Sequence, residues 1–160
     1  MKKHPAKTPA RSATRDPAGS PPAALPPPRR ILVVDDHPFM RAGLAQLIAR
    51  QPDLAVCGEA GNPAEAFREL ARGKPDLVLT DLTMPGRSGL EFIKDLQAAE
   101  PRLAVLVISM HDEAIYGKRV RQAGGSGYIM KDIAPDSLIA AIHTVLAGGV
   151  FLNQSKPRRI

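Results

Sequence analysis

Beyond Arg30 the chain alternates short apolar runs with amphipathic stretches, and the alternation repeats five times. The apolar runs cover residues 31–34, 54–56 with an extension as far as 60, 77–80, 103–108 and 128–130. None shows strict two-residue alternation, as expected of strands covered on both faces. Between them lie helical stretches. One over 38–50 places Leu44, Leu47 and Ile48 on one face, and one over 135–147 does the same with Leu138, Ile142 and Val145. Two more carry start signals, Asn62-Pro63-Ala64-Glu65 and Ser88-Gly89-Leu90-Glu91, each with a capping residue three before a glutamate. A further helix over 113–123 is only weakly amphipathic, which marks it as the element expected to move. Strand and helix in strict alternation predict an α/β fold. Right-handed crossovers then favour a doubly wound five-stranded parallel sheet of order 2-1-3-4-5, the flavodoxin-like arrangement.

The first 28 residues break this pattern. They hold eight of the sixteen prolines and almost no large apolar side chain, so they cannot bury enough surface to offset the entropy of ordering. The expected organisation is a Pro/Ala-rich basic tail over 1–28, one domain over 29–152, and a basic linker or tail over 153–160. Charge follows the same division. The chain carries +6 overall, yet residues 1–30 hold seven Lys/Arg against Asp16 alone, and Lys156, Arg158 and Arg159 close the sequence. The stretch 31–155 nets −3, so the basicity belongs to the tails and argues for no nucleic-acid surface on the domain. Cys57 is the single cysteine, which rules out a disulfide within the chain. It reads as a buried small apolar residue. No secretory h-region and no run of about 20 apolar residues is present, and the expected setting is the cytoplasm, without membrane contact.

Ligands of doubly wound sheets sit at the carboxyl ends of the strands. At those ends come Asp35 and Asp36 after the first run, Asp81 after the third, Ser109 after the fourth and Lys131 after the fifth. Taken singly, an Asp pair caps a helix, an Asp before Met84-Pro85-Gly86 forms a turn, and a strand-end lysine is solvated. Together they converge on one edge. Crowded carboxylates raise each other's pKa unless a cation sits among them, and Mg²⁺, bound by a few carboxylates and waters, meets that need. One carboxylate can then act as nucleophile towards a phosphoryl group whose oxygens are neutralised by the ion and the lysine, with the hydroxyl bonding the remaining oxygen. The four histidines lack metal-ligand spacing; His37, His111 and His143 read as surface or local hydrogen-bonding residues, His37 close enough to influence the acidic cluster.

Four motifs occur in order: Ile31-Leu32-Val33-Val34-Asp35-Asp36-His37; Pro75 to Gly86, with Gly89; Val107-Ile108-Ser109; and Ala123 to Lys131. This series resembles the receiver domain of response regulators over about residues 29–152. Gly127-Tyr128, Asp132 and the closing Leu146-Ala147-Gly148-Gly149-Val150-Phe151 resemble the NarL/FixJ subfamily, whose members usually carry a C-terminal LuxR-type helix-turn-helix. The resemblance implies that Asp81 accepts phosphate from a sensor histidine kinase. It also implies that Asp36, Asp81 and the backbone carbonyl of Thr83 hold Mg²⁺, with Asp35 acting largely through water. Lys131 would bind the acyl phosphate, and Ser109 with Tyr128 would form the switch pair. Asp132 stands where many receivers have proline, often with a cis bond, and Gly125 where alanine is more common, which is expected to loosen the turn before the fifth strand.

The implied role is a phosphorylation-dependent signalling switch rather than an enzyme, beyond self-phosphorylation and autodephosphorylation. Its output would be transcription, through a DNA-binding domain not contained in these residues, with a phosphorylation-dependent homodimer as a further partner. A single-domain receiver acting by protein–protein contact is the alternative. A Mg-dependent phosphatase of similar fold is disfavoured because Thr83 occupies the place of its second Asp. A nucleotide-binding module is disfavoured because Asp35-Asp36-His37-Pro38 is the wrong chemistry to cradle phosphates.

Overall fold

The apolar runs form a single sheet in a computed structural model that describes residues 25–152. The strands are β1 (Arg29–Val34), β2 (Leu54–Ala60), β3 (Leu77–Asp81), β4 (Ala104–Ser109), β5 (Gly127–Met130) and β6 (Phe151–Leu152). The helices are α1 (Pro38–Ala49), α2 (Pro63–Gly73), α3 (Gly89–Ala99), α4 (Glu113–Ala123) and α5 (Pro135–Leu146). All pairings are parallel and the order is β2-β1-β3-β4-β5-β6. The expected 2-1-3-4-5 order is present, and β6 extends it by one short strand beside β5. Its two residues follow Gly148 and Gly149 and were too few to register as a sixth alternation.

Successive residues of each strand serve opposite faces, so continuous apolar runs build two cores. Leu32, Val34, Val78, Val105 and Val107 pack with Phe92, Ile93 and Leu96 of α3 and Val120 of α4. Ile31, Val33, Leu77, Leu79, Leu106, Ile108 and Ile129 pack with Leu44 and Ile48 of α1 and Leu138, Ile142 and Val145 of α5. Every strand carboxyl end therefore points to the same rim.

Three local expectations need correction. The Asn62 start behaves as read: Asn62 Oδ1 accepts the Glu65 N–H at 2.9 Å, and Glu65 Oε2 accepts the Gly61 N–H at 2.8 Å. Ser88 makes no capping hydrogen bond; Glu91 reaches Arg87 and Lys94 instead. Gly125 does not loosen its turn. Its N–H bonds Val120 O at 2.8 Å, and a Cβ there would meet Val120 Cγ1 at 2.4 Å, so the glycine permits a close approach. Cys57 is half-buried rather than buried and lies where the β1–β2 register slips; desolvation raises its thiol pKa. The expected tail and linker fall outside the described residues, apart from 25–28, which have no regular structure.

Candidate functional site

The rim is built by where the strands stop. Asp81 is the last residue of β3, paired with Ile108 in the middle of the sheet, and is buried. Its approach is fixed from below by Gly89, where a Cβ would lie 2.0 Å from Leu82 O, so the loop after Asp81 folds tightly against the start of α3. Asp35 continues the line of β1, its N–H bonding Ala60 O at 3.0 Å. Its carbonyl accepts Arg41 Nη1 at 2.7 Å, and Arg41 Nε stands 3.6 Å from Glu59. Lys131 follows β5, with its N–H on Ser109 O at 2.8 Å.

These placements bring Asp35, Asp36, Asp81 and Lys131 together. Lys131 Nζ donates to Asp81 Oδ2 at 2.9 Å and stands 3.1 Å from Asp35 Oδ2, with all three side chains at most 5% exposed. Burial alone would lower the lysine pKa, but contact with Asp81 and Asp35 outweighs it and the pKa is raised. Asp35 Oδ2 and Asp36 Oδ1 are buried, with Lys131 Nζ and His37 Nδ1 respectively as neighbours at 3.1 Å. Three carboxylates face one ammonium, so the cluster holds excess negative charge shielded from water. Their oxygens and a His37 nitrogen lie within 4.8 Å of one another. Converging carboxylate oxygens that outnumber the single ammonium are the donor set a hard divalent cation uses, and the residues present fit one.

Thr83 donates its N–H to Asp81 Oδ1 at 3.2 Å, while its hydroxyl bonds His111 Nε2 at 2.8 Å. Ser109 and Tyr128 stand behind this layer and are both buried. His111 holds the two of them: its N–H donates to Ser109 Oγ at 3.1 Å, and its carbonyl accepts the Tyr128 hydroxyl at 2.6 Å. Desolvation raises the Tyr128 pKa, which keeps that hydroxyl a donor. His111 is the local hydrogen-bonding residue expected of it, though its place as the link between Ser109 and Tyr128 was not foreseen. His37 is close enough to the acidic cluster to influence it, as expected, with its ring turned onto both aspartates.

A buried aspartate thus stands bonded to a lysine at the rim of a doubly wound sheet. The family model for the response regulator receiver domain matches residues 31–143. The chain belongs to that family. Among curated relatives, this receiver is 38% identical over 130 residues to the nitrate/nitrite response regulator protein NarL of Escherichia coli, covering 80% of this chain and 59% of that protein. It is also 38% identical over 122 residues to the transcriptional regulatory protein UhpA of Salmonella typhimurium, with 76% and 61% covered. A two-component response regulator of the LuxR family from an Aurantimonas species, solved by crystallography, superposes with a TM-score of 0.76 at 36% identity over 79% of this chain and 91% of that one. The receiver thus spans about three fifths of the length of the curated relatives it matches. Among the described residues no helix is long and apolar enough to cross a membrane.

Proposed function

We propose that this receiver is a phosphorylation-dependent switch in which Asp81 takes a phosphoryl group from a sensor histidine kinase. The observation that carries the reading is the Asp81 carboxylate, buried among two further carboxylates and bonded to Lys131. A carboxylate oxygen attacks phosphorus, the phosphorus–nitrogen bond to the kinase imidazole breaks, and a mixed anhydride forms on Asp81. Asp35, Asp36, Asp81 and the Thr83 carbonyl would hold Mg²⁺, which neutralises charge on the phosphoryl oxygens. Lys131, already at the acceptor, neutralises the same oxygens from the other side. The Ser109 hydroxyl accepts from the His111 N–H, so its own proton remains free to donate to a phosphoryl oxygen.

That same bond transmits the event. Ser109 moving toward Asp81 draws the His111 backbone with it, and the His111 carbonyl anchors Tyr128. The Tyr128 ring then loses its hydrogen-bond partner and repacks between β5 and α4, where only a bistable element can respond. The altered α4–β5–α5 surface would favour self-association or regulate a C-terminal DNA-binding domain in the cytoplasm. The name of UhpA as a transcriptional regulatory protein supports a transcriptional output.

Mass spectrometry after incubation with acetyl phosphate and Mg²⁺ tests the acceptor: one acid-labile phosphoryl group is expected on Asp81 and none in Asp81→Asn. Unchanged labelling of that variant removes the reading. Amide hydrogen exchange with beryllofluoride tests the output. Changes confined to 35–38 and 81–87 would leave the acceptor in place and remove the switch.

A further inference from the structure

His37 is the last residue before α1. Its backbone N–H bonds Asp35 Oδ1 at 2.8 Å, and this turn sets Nδ1 over the acidic pair. Nδ1 lies 3.2 Å from Asp35 Oδ1 and 3.1 Å from Asp36 Oδ1. The ring makes no helix-capping bond, and the side chain is 67% exposed, so the geometry serves neither helix start nor core. On its inner side stand Asp35, wholly buried with Oδ2 against Lys131 Nζ at 3.1 Å, and the buried Oδ1 of Asp36, whose near neighbour is the imidazole itself. Four side chains, Asp35, Asp36, His37 and Asp81, each offer one ligand atom within 4.8 Å of the others. An octahedral ion about 2.1 Å from each ligand, with water in its open positions, accepts ligand atoms up to about 4.2 Å apart, so the group needs to contract by about half an ångström.

We infer that His37 Nδ1 is a ligand for borderline divalent cations at the phosphorylation site, so that the site takes Co²⁺, Ni²⁺ or Zn²⁺ through three oxygens and one nitrogen. Mg²⁺ occupies the same place through oxygens alone. The inference rests on the reading of Asp35, Asp36 and Asp81 as a cation site, and adds ion selectivity to it. The chemistry follows from donor type. A hard Mg²⁺ gains little from imidazole, whereas late first-row ions gain a strong bond from it and bind more tightly along the series from manganese to copper. A borderline ion held by His37 also fixes that ring across the rim where the phosphodonor must enter. Such an ion therefore competes with Mg²⁺ on different terms and ties the readiness of Asp81 to which metal is present.

Calorimetric titration of the full chain with Co²⁺ alone and with Mg²⁺ alone tests this, using wild type, His37→Ala and Asp36→Ala. His37 caps nothing through its side chain, so its removal leaves the fold in place. Wild type is expected to bind Co²⁺ at least about tenfold more tightly than Mg²⁺, and His37→Ala to lose at least about tenfold in Co²⁺ affinity with Mg²⁺ affinity unchanged within about twofold. Paramagnetic shifts in the NMR spectrum should centre on residues 35–38. Equal Co²⁺ affinity in wild type and His37→Ala overturns the inference. So do shifts centred on the surface pair His143 and Asp53, whose Nε2–Oδ2 distance of 2.7 Å makes it the competing imidazole–carboxylate site. Asp36→Ala separates the layers: loss of both ions there with Co²⁺ retained in His37→Ala sinks the His37 role alone, while retention of both ions in Asp36→Ala sinks the cation site itself.

Discussion

The two ends of the sheet both carry charge and hold it in opposite ways. At the amino end, Arg29, Lys74 and Arg102 share an open cleft with Asp76 and Glu100, every one exposed or half-buried. Arg29 and Asp76 lie 3.6 Å apart with side chains 50% and 40% exposed, and Asp76 also accepts the Arg30 N–H at 2.8 Å. Signs nearly balance there and water does the rest. At the carboxyl end three carboxylates meet one lysine, largely out of reach of solvent. Charge density alone does not distinguish the ends. Burial with unbalanced sign does, because only there is electrostatic energy stored that a cation or a phosphoryl group can release.

The contrast breaks most visibly at its one buried cation. Lys131→Ala leaves Asp35 and Asp81 uncompensated and is expected to lower stability by about 3–5 kcal/mol in urea unfolding without divalent ions. Added Mg²⁺ should restore part of the loss. Asp35→Asn works in the other direction: it relieves repulsion while keeping the oxygen that accepts the His37 N–H, and should raise stability on the order of 1 kcal/mol. If it destabilises instead, the excess charge is compensated in the free protein. Arg29→Ala, at the opposite end, should change the unfolding midpoint by less than about 1 kcal/mol, with the difference fading in high salt. A larger cost there would show that the two ends do not differ as described.

Glu113 gives the smallest and most conditional effect. It is buried at the start of α4 with Oε2 unpartnered; desolvation, and then the charge of Asp112, raises its pKa. A carboxyl whose folded pKa lies above its ordinary value stabilises the fold in its protonated form. That contribution is complete below the ordinary value of 4.5 and is lost as pH rises through the raised folded value. Glu113→Gln should therefore be more stable than wild type at neutral pH and converge with it in acid, seen as melting-temperature profiles that merge as pH falls. Parallel profiles would mean that Glu113 meets a counter-charge or water when ionised.

The strand-end carboxylates were legible because the period of the apolar runs fixes where each strand stops, and topology then gathers Asp35, Asp36, Asp81 and Lys131 at one rim. The helix faces of α1 and α5 were legible for the same reason. What escaped reading depended on angles and distances within a few residues. Ser88 has the composition of a cap but makes no capping bond. Gly125 looked like slack and is instead a contact with Val120. His37 and His111 gained roles because backbone turns aim their rings or main-chain groups at buried partners, and no spacing rule encodes such a turn. The weak amphipathicity of α4 has a concrete cause: its buried positions are Glu113, Gly117, Val120 and Ala123, only one of them a large apolar side chain.

The strands at the two flanks decide something separate from signalling. A flat, unpaired outer strand is a template on which a neighbouring molecule's backbone can continue the ladder. On one flank, β2 passes over Cys57 where its register slips, with Val56 opposite Ile31 but Gly58 opposite Leu32, and such a bulge bends and twists the strand. On the other flank β5, with Tyr128 and Ile129 in its centre, would be an apolar outer strand if the sheet ended there. Phe151 and Leu152 pair with Gly127 and Tyr128, covering the first half of β5 with a strand too short to recruit a further one. The sheet is thereby finished on both sides, and a crowded solution of this receiver should resist growing into fibres.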